Sequence, residues 1–210
     1  MAQRGRRFET FDRWGERARR IGLVRFEATI ALATVFLFAA HDRAAAEGAD
    51  AFSARAGLAL AQEAAAAWAP DARLVYIEND EPLLADGRCE RWGYLFSSKS
   101  LGRSRGYSLE SDAIEVAEDL PFEFDAPPLP LEWLDSESAL SRAVAEQVAG
   151  ETPANSERPA LRTMFLVRGV LSLDEPDAAA WGIVYASSNP DQRLVVVDAR
   201  SGKVVRTWRG

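Results

Sequence analysis

Past residue 50 the apolar positions fall into two runs of similar order, each opening with a helical pattern and passing into alternating strands. The first opens on Ala51–Trp68, an alanine-rich stretch carrying Leu58, Leu60 and Ala61. High helix propensity and Ser53 near its start predict a helix, stopped by Ala69-Pro70-Asp71. Arg73–Ile77 then alternates as a strand, Glu78–Gly87 is an acidic loop, and Arg88–Ser97 is a strand around Trp92, Tyr94 and Phe96. Lys99–Gly106 has turn composition, and Tyr107–Val116 is a third strand. In Leu120–Leu131, four prolines fix φ and remove donors, so neither a helix nor a central strand fits. Its Phe122, Phe124, Leu129 and Leu131 are too apolar for a free tether and predict a linker packed on the fold.

The second run opens at Asp135 or Ser136, either of which can cap a helix reaching about Ala149. Leu140, Val144 and Val148 lie on one face, and Gly150 ends it. After a polar loop, Leu161–Leu173 reads as a long strand with a bend at Gly169. Three strands follow, Gly182–Ala186, Leu194–Asp198 and Val204–Trp208. Turns at Asn189-Pro190-Asp191 and Ser201-Gly202 make them an antiparallel meander. The two runs also share residues at one offset: Trp92-Gly93-Tyr94-Leu95-Phe96 precedes Trp181-Gly182-Ile183-Val184-Tyr185 by 89 positions, as Arg73–Ile77 precedes Arg162–Leu166. Tandem duplication is the economical explanation. The expected fold is α+β: two related units, 51–119 and 132–210, each a helix packed on a small antiparallel sheet, joined by the Pro-rich linker 120–131.

The run Leu194-Val195-Val196-Val197-Asp198-Ala199-Arg200-Ser201-Gly202-Lys203-Val204-Val205, preceded by the Trp181 strand, resembles the C-terminal signature of the PepSY family. There a strand ends in an Asp-Ala pair, turns at Ser/Thr-Gly and returns as a short strand. The likeness covers Trp133–Gly210, with a degenerate copy in Phe52–Asp119. It implies a cystatin-like helix on a small sheet, exported or membrane-facing, often in tandem, that acts by binding and in some members restrains peptidases. The first copy departs from it, because no glycine turn follows Asp112-Ala113 and the next residues are acidic.

The first 46 residues read as a targeting segment. A basic stretch ending in Arg17, Arg19, Arg20 and Arg25 precedes thirteen apolar residues, Ala28–Ala40, and then Ala44-Ala45-Ala46. The apolar run is short of the roughly 20 residues a spanning helix needs. A signal peptide cleaved after Ala46 and a retained N-terminal anchor both remain open, and either exports the body to a periplasmic or extracellular location. The membrane is then touched only through this segment, if it is retained.

Charge and titratable residues narrow the chemistry. The chain carries a net −7, but nine arginines and five acids lie in the first 46 residues, leaving 16 bases and 27 acids, a net of −11, for the body. Such a body disfavours nucleic acid, whose phosphates require bases in excess. The one cysteine, Cys89, precludes an intramolecular disulfide, and it reads as a small buried hydrophobe. The one histidine, His41, lies in the targeting segment, so the body has no imidazole for a hydrolytic triad or a zinc site. A Ser-Lys pair would rest on Lys99 or Lys203, both in turns. The acid groups Glu78-Asp80-Glu81, Glu115-Glu118-Asp119 and Asp174-Glu175-Asp177 lack the spacing of a calcium loop and read as solvated surface. The Trp92 and Trp181 pair could wall a ligand but reads better as core.

These residues assign no catalytic, cofactor-binding or metal position and identify no binding residue. The expected function is an exported, non-catalytic module that recognises a protein or peptide, without cofactors and without nucleic acid. Two alternatives stand beside it: an envelope enzyme working through a carboxylate pair, and a membrane-anchored structural subunit of an envelope complex.

Overall fold

The computed structural model describes residues 51–124, 126–150, 160–171, 175, 177–186 and 192–209. Residues 1–46, expected to be a targeting segment, and the expected turn Asn189-Pro190-Asp191 lie outside the described residues. Among the described residues two helices and eight strands follow in chain order. The first half has α1 (Leu58–Trp68), β1 (Arg73–Asn79), β2 (Arg91–Ser98), β3 (Arg103–Glu110) and β4 (Ala113–Leu120). The second has α2 (Ser136–Gly150), β5 (Ala160–Arg168), β6 (Ala179–Ala186), β7 (Gln192–Asp198) and β8 (Val204–Arg209).

The expectation of two separate helix-on-small-sheet units is overturned. All eight strands form one antiparallel sheet in the order β4-β3-β2-β1-β5-β6-β7-β8. The seam is β1 against β5, where Tyr76, Ile77 and Glu78 face Val167, Leu166 and Phe165. The physical reason lies in these two strands. Six of the seven β1 residues are buried, and β5 is buried from Thr163 to Val167. Strands buried on both faces belong in the middle of a sheet. Left apart, each half would expose β1 or β5 as an apolar edge with unpaired N–H and C=O groups, a template for aggregation. Positions 89 apart exchange about this seam, since Ile77 faces Leu166 and the pairs Tyr76–Val167 and Glu78–Phe165 interconvert under the same offset.

One face of the sheet carries the helices. Ala61 and Ala65 of α1 and Ala139 and Ala143 of α2 are buried there, and their small side chains let helix backbone approach the aromatic floor of Trp92, Tyr94, Phe96, Tyr107 and Trp181. The polar ends of that floor bond helix-side carbonyls: Tyr94 Oη donates to Ala54 O at 2.8 Å and Tyr107 Oη to Ala64 O at 3.1 Å. Three indoles meet at the centre. Trp181 lies edge-on to Trp92 at 6.3 Å and to Trp133 at 5.9 Å between centroids. Each sheet tryptophan also spends its N–H on the chain leading into its own half's helix, Trp92 Nε1 on Phe52 O at 2.8 Å and Trp181 Nε1 on Leu134 O at 2.7 Å. These two lead-in segments are latched to each other, because Ser136 Oγ accepts from Ala54 N at 3.2 Å and Asp135 Oδ1 from Arg55 N at 3.0 Å. Arg55 stacks on the Trp133 ring at 4.1 Å and donates to the Trp133 carbonyl.

Local differences from expectation have local causes. The helix starts at Leu58 rather than Ala51, because Phe52 is held as an isolated bridge opposite Cys89. The strand expected over Tyr107–Val116 is two strands. Ser111 adopts φ +56° and closes a hairpin that no Asn-Gly or Asp-Gly announces. The expected strand Leu161–Leu173 ends at Arg168, where Gly169 takes φ +77°. At Gly182 a Cβ would fall within 3.0 Å of three Phe165 ring atoms, so glycine is required for Phe165 to lie flat across β6.

Truncating an indole at the centre should destabilise both halves together. Trp181→Ala is expected to cost about 3–5 kcal/mol, read as a shift in the urea midpoint. Near-ultraviolet circular dichroism and tyrosine fluorescence should shift by the same amount.

Candidate functional site

The Pro-rich segment is a strap that crosses the end of the sheet from one face to the other. On the face away from the helices Phe124 packs against Tyr76 at 5.9 Å, with Leu120, Leu95 and Phe165 in the same cluster. Past the sheet end, Leu129 and Trp133 join the helix-side core. Two bonds fix the crossing, one to each half: Leu129 N donates to Leu74 O at 2.8 Å, and Arg168 Nη1 to Pro128 O at 3.1 Å. Pro127, Pro128 and Pro130 add stiffness because each fixes its own φ.

Between strap and α1 lies an open groove of about 320 Å³. Leu58, Gln62, Ala65 and Ala66 form the helix wall, Leu74 and Phe96 the floor, and Pro128–Leu131 with Trp133 the opposite wall. Pro70, Ala72 and Arg73 border its mouth. Among the described residues no carboxylate, cysteine or histidine lines it. Leu131, at the end of that wall, is a large apolar side chain left 88% exposed.

One side of the mouth is pinned by a carboxylate. Asp71 accepts from Ser98 Oγ at 2.6 Å, from Ser100 N at 2.9 Å and from Ser100 Oγ at 2.8 Å, tying the turn before β1 to the β2–β3 turn. These bonds, Ser98 foremost, favour the charged form and hold its pKa down at about 2.

The residues singled out by chemistry do not gather at this groove. Cys89 is fully buried, with its sulfur 3.0 Å from Glu81 O and 3.1 Å from Arg91 O, and burial pushes the thiol up to about 12. Lys99 sits in the β2–β3 turn, where its carbonyl accepts from Gly102 N at 3.2 Å, and Lys203 begins the return into β8. Of the acids, Glu78 is buried and accepts from Tyr76 Oη at 3.1 Å. Asp80 accepts from Ser108 Oγ at 2.5 Å, and Glu81 lies 3.7 Å from Arg91. Glu115, Glu118 and Asp119 lie on the edge strand β4, and Asp119 pairs with Arg105 at 3.1 Å. Asp177 lies 3.7 Å from Arg168, and Asp174 lies outside the described residues. Among the described residues no group of three or more metal-ligating side chains comes together. Trp92 and Trp181 are both fully buried and belong to the core.

The Asp-Ala-x-Ser-Gly segment that carried the family resemblance has a structural explanation here. Asp198 Oδ1 accepts from Ser201 N at 2.6 Å and Ser201 Oγ at 2.5 Å, closing the β7–β8 turn. Ala199 is buried, and Gly202 takes φ +75°, where an added Cβ would come within 3.0 Å of Leu134 and Arg142. These residues make a turn and a seat for α2.

Comparison with known proteins is sparse. No family model matches the chain, and no curated protein matches it. Among solved structures, the crystal structure of a candidate lipoprotein from Clostridium difficile 630 aligns with a TM-score of 0.49 at 13% identity, over 73% of this chain and 92% of that one.

Two outcomes follow from the titratable groups. The Asp71 carboxylate is depressed in the folded state, so its contribution is complete above the ordinary aspartate value near 3.9. It is lost as pH falls through about 2. Asp71→Asn should therefore melt below the parent at pH 6, with the gap closing as pH is lowered from about 4 to about 2. Cys89 should resist iodoacetamide at pH 8 in the native protein and react fully in denaturant, as mass spectrometry of the alkylated chain would show.

Proposed function

We propose that this chain is an exported, non-catalytic binding module whose strap groove holds an apolar side chain presented by a protein or peptide partner. The observation that carries this reading is a preformed groove whose lining side chains are mostly apolar. Its strap wall is proline-stiffened and bonded at Leu74 and Arg168, so little entropy is left to lose on binding. Gln62 and Arg73 are the polar groups bordering it that could orient a peptide backbone. Leu131 beside it supplies apolar surface that a partner would cover. The body's net −11 favours a partner with basic surroundings, through steering more than through affinity.

The groove lining supports binding over the carboxylate-pair enzyme, because the acids that would serve one are engaged away from it, Asp80 with Ser108 and Glu78 with Tyr76. Export rests on the order of the first 46 residues. The likeness to the PepSY family adds the version in which the partner is a peptidase held in check.

Ala66 lines the groove and is exposed, so Ala66→Trp should fill the groove without disturbing the core. A photo-crosslinking side chain at Leu131, used in the native envelope, should capture one partner. The same group at Val144 on α2 should not, and Ala66→Trp should abolish the capture while leaving the melting temperature unchanged. Equal capture by the parent and by a normally melting Ala66→Trp protein would contradict the reading.

A further inference from the structure

The sheet has two outer strands of opposite charge. In β4 and the turn before it, residues 110–120 include Glu110, Asp112, Glu115, Glu118 and Asp119 and no base. In β8 and the turn before it, residues 199–209 include Arg200, Lys203 and Arg206 and no acid. Asp112, Glu115, Glu118 and Asp119 are exposed, as are Arg200 and Lys203, and Arg206 lies beside the Trp208 ring. Among the described residues β4 pairs only with β3, and β8 only with β7, so each presents one row of main-chain donors and acceptors outward.

Strand direction makes these edges complementary in geometry as well. Neighbours alternate in direction across all eight strands, so β8 runs opposite to β4. A second copy placed in the same orientation therefore lays its β4 antiparallel to the first copy's β8 and keeps all helices on one face. Register irregularities at Glu115 in β4 and Val205 in β8 limit the uninterrupted pairing to Val116–Leu120 on one edge and Arg206–Arg209 on the other. Pairing of like edges is opposed, because β4 against β4 sets carboxylates against carboxylates and β8 against β8 sets bases against bases.

We propose that the acidic β4 edge of one copy adds to the basic β8 edge of another, extending the sheet in a head-to-tail series. Such a contact is heterologous, so each added copy leaves one edge of each sign open. The association is electrostatically selected and weakens as salt rises.

Sedimentation velocity of the full chain in a nonionic detergent tests this. In about 20 mM salt the parent should sediment at twice the monomer mass or more, and in about 0.5 M salt as the monomer. Asp112→Lys/Glu115→Lys/Glu118→Lys leaves residues 110–120 with two acids and three bases, so that both edges are basic, and Arg200→Glu/Lys203→Glu/Arg206→Glu leaves residues 199–209 with one base and three acids, so that both are acidic. Each variant alone should remain monomeric at low salt, and an equimolar mixture should regain the parent's association. A parent that is monomeric at low salt would overturn the proposal, as would reversed-edge variants that associate singly as the parent does. Ala66→Trp should leave this association unchanged, which separates it from binding in the strap groove.

Discussion

The arrangement depends on the pairing of β1 with β5 and the three indoles packed above it. Backbone hydrogen bonds at that seam convert two four-stranded meanders into one sheet. The Trp181 ring, in contact with Trp92 on one side and Trp133 on the other, bridges residues from both halves over the same point. Because the indole N–H groups bond the carbonyls of Phe52 and Leu134, the chain leading into each helix is fixed by the core beneath it. A buried polar hydrogen left unmatched there would cost more than the bond contributes, which is why these carbonyls are held in place.

The groove is a consequence of that seam. A strap leaving β4 on one face and reaching α2 on the other must round the sheet end where β1 begins and β5 finishes, and those ends adjoin only because the strands pair. Leu74 and Arg168 then serve as two anchor points, one from each half. With the strap set at that distance from α1, and with alanines at 65 and 66 on the facing helix wall, space remains that larger residues would close. The groove is thus set by chain geometry, and no cluster of reactive groups is needed to define it.

Much of the secondary structure is legible in the sequence because its signals are local. The second helix, the three C-terminal strands, the Ser201-Gly202 turn and the inward packing of Phe124 and Leu129 in the proline segment each follow from spacing or from proline and glycine chemistry, while Leu131 of that segment stays exposed. The single sheet escapes a local reading, although its cue is present: Leu74-Val75-Tyr76-Ile77 and Met164-Phe165-Leu166-Val167 are continuous apolar runs, which suit strands buried on both faces rather than edges. Taking them as one-sided strands divides the fold. The hairpin at Ser111 is hidden because a serine at positive φ has no sequence signature. The acids, the lysines and the cysteine singled out by chemistry do not line the groove, whose side chains are apolar apart from Gln62 and Arg73. The cue for it is the apolar content of Leu129 and Leu131 among prolines.

Native-state hydrogen exchange resolved by residue tests the joined sheet most directly. If the seam makes one folding body, the amides of Ile77 and Leu166 and those of the central strands β2 and β6 exchange only through global unfolding, with one common free energy and one common denaturant slope. If the amides of 160–209 exchange through an opening that leaves β1–β4 protected, the halves fold independently, and the account of a single sheet joined at β1 and β5 is wrong.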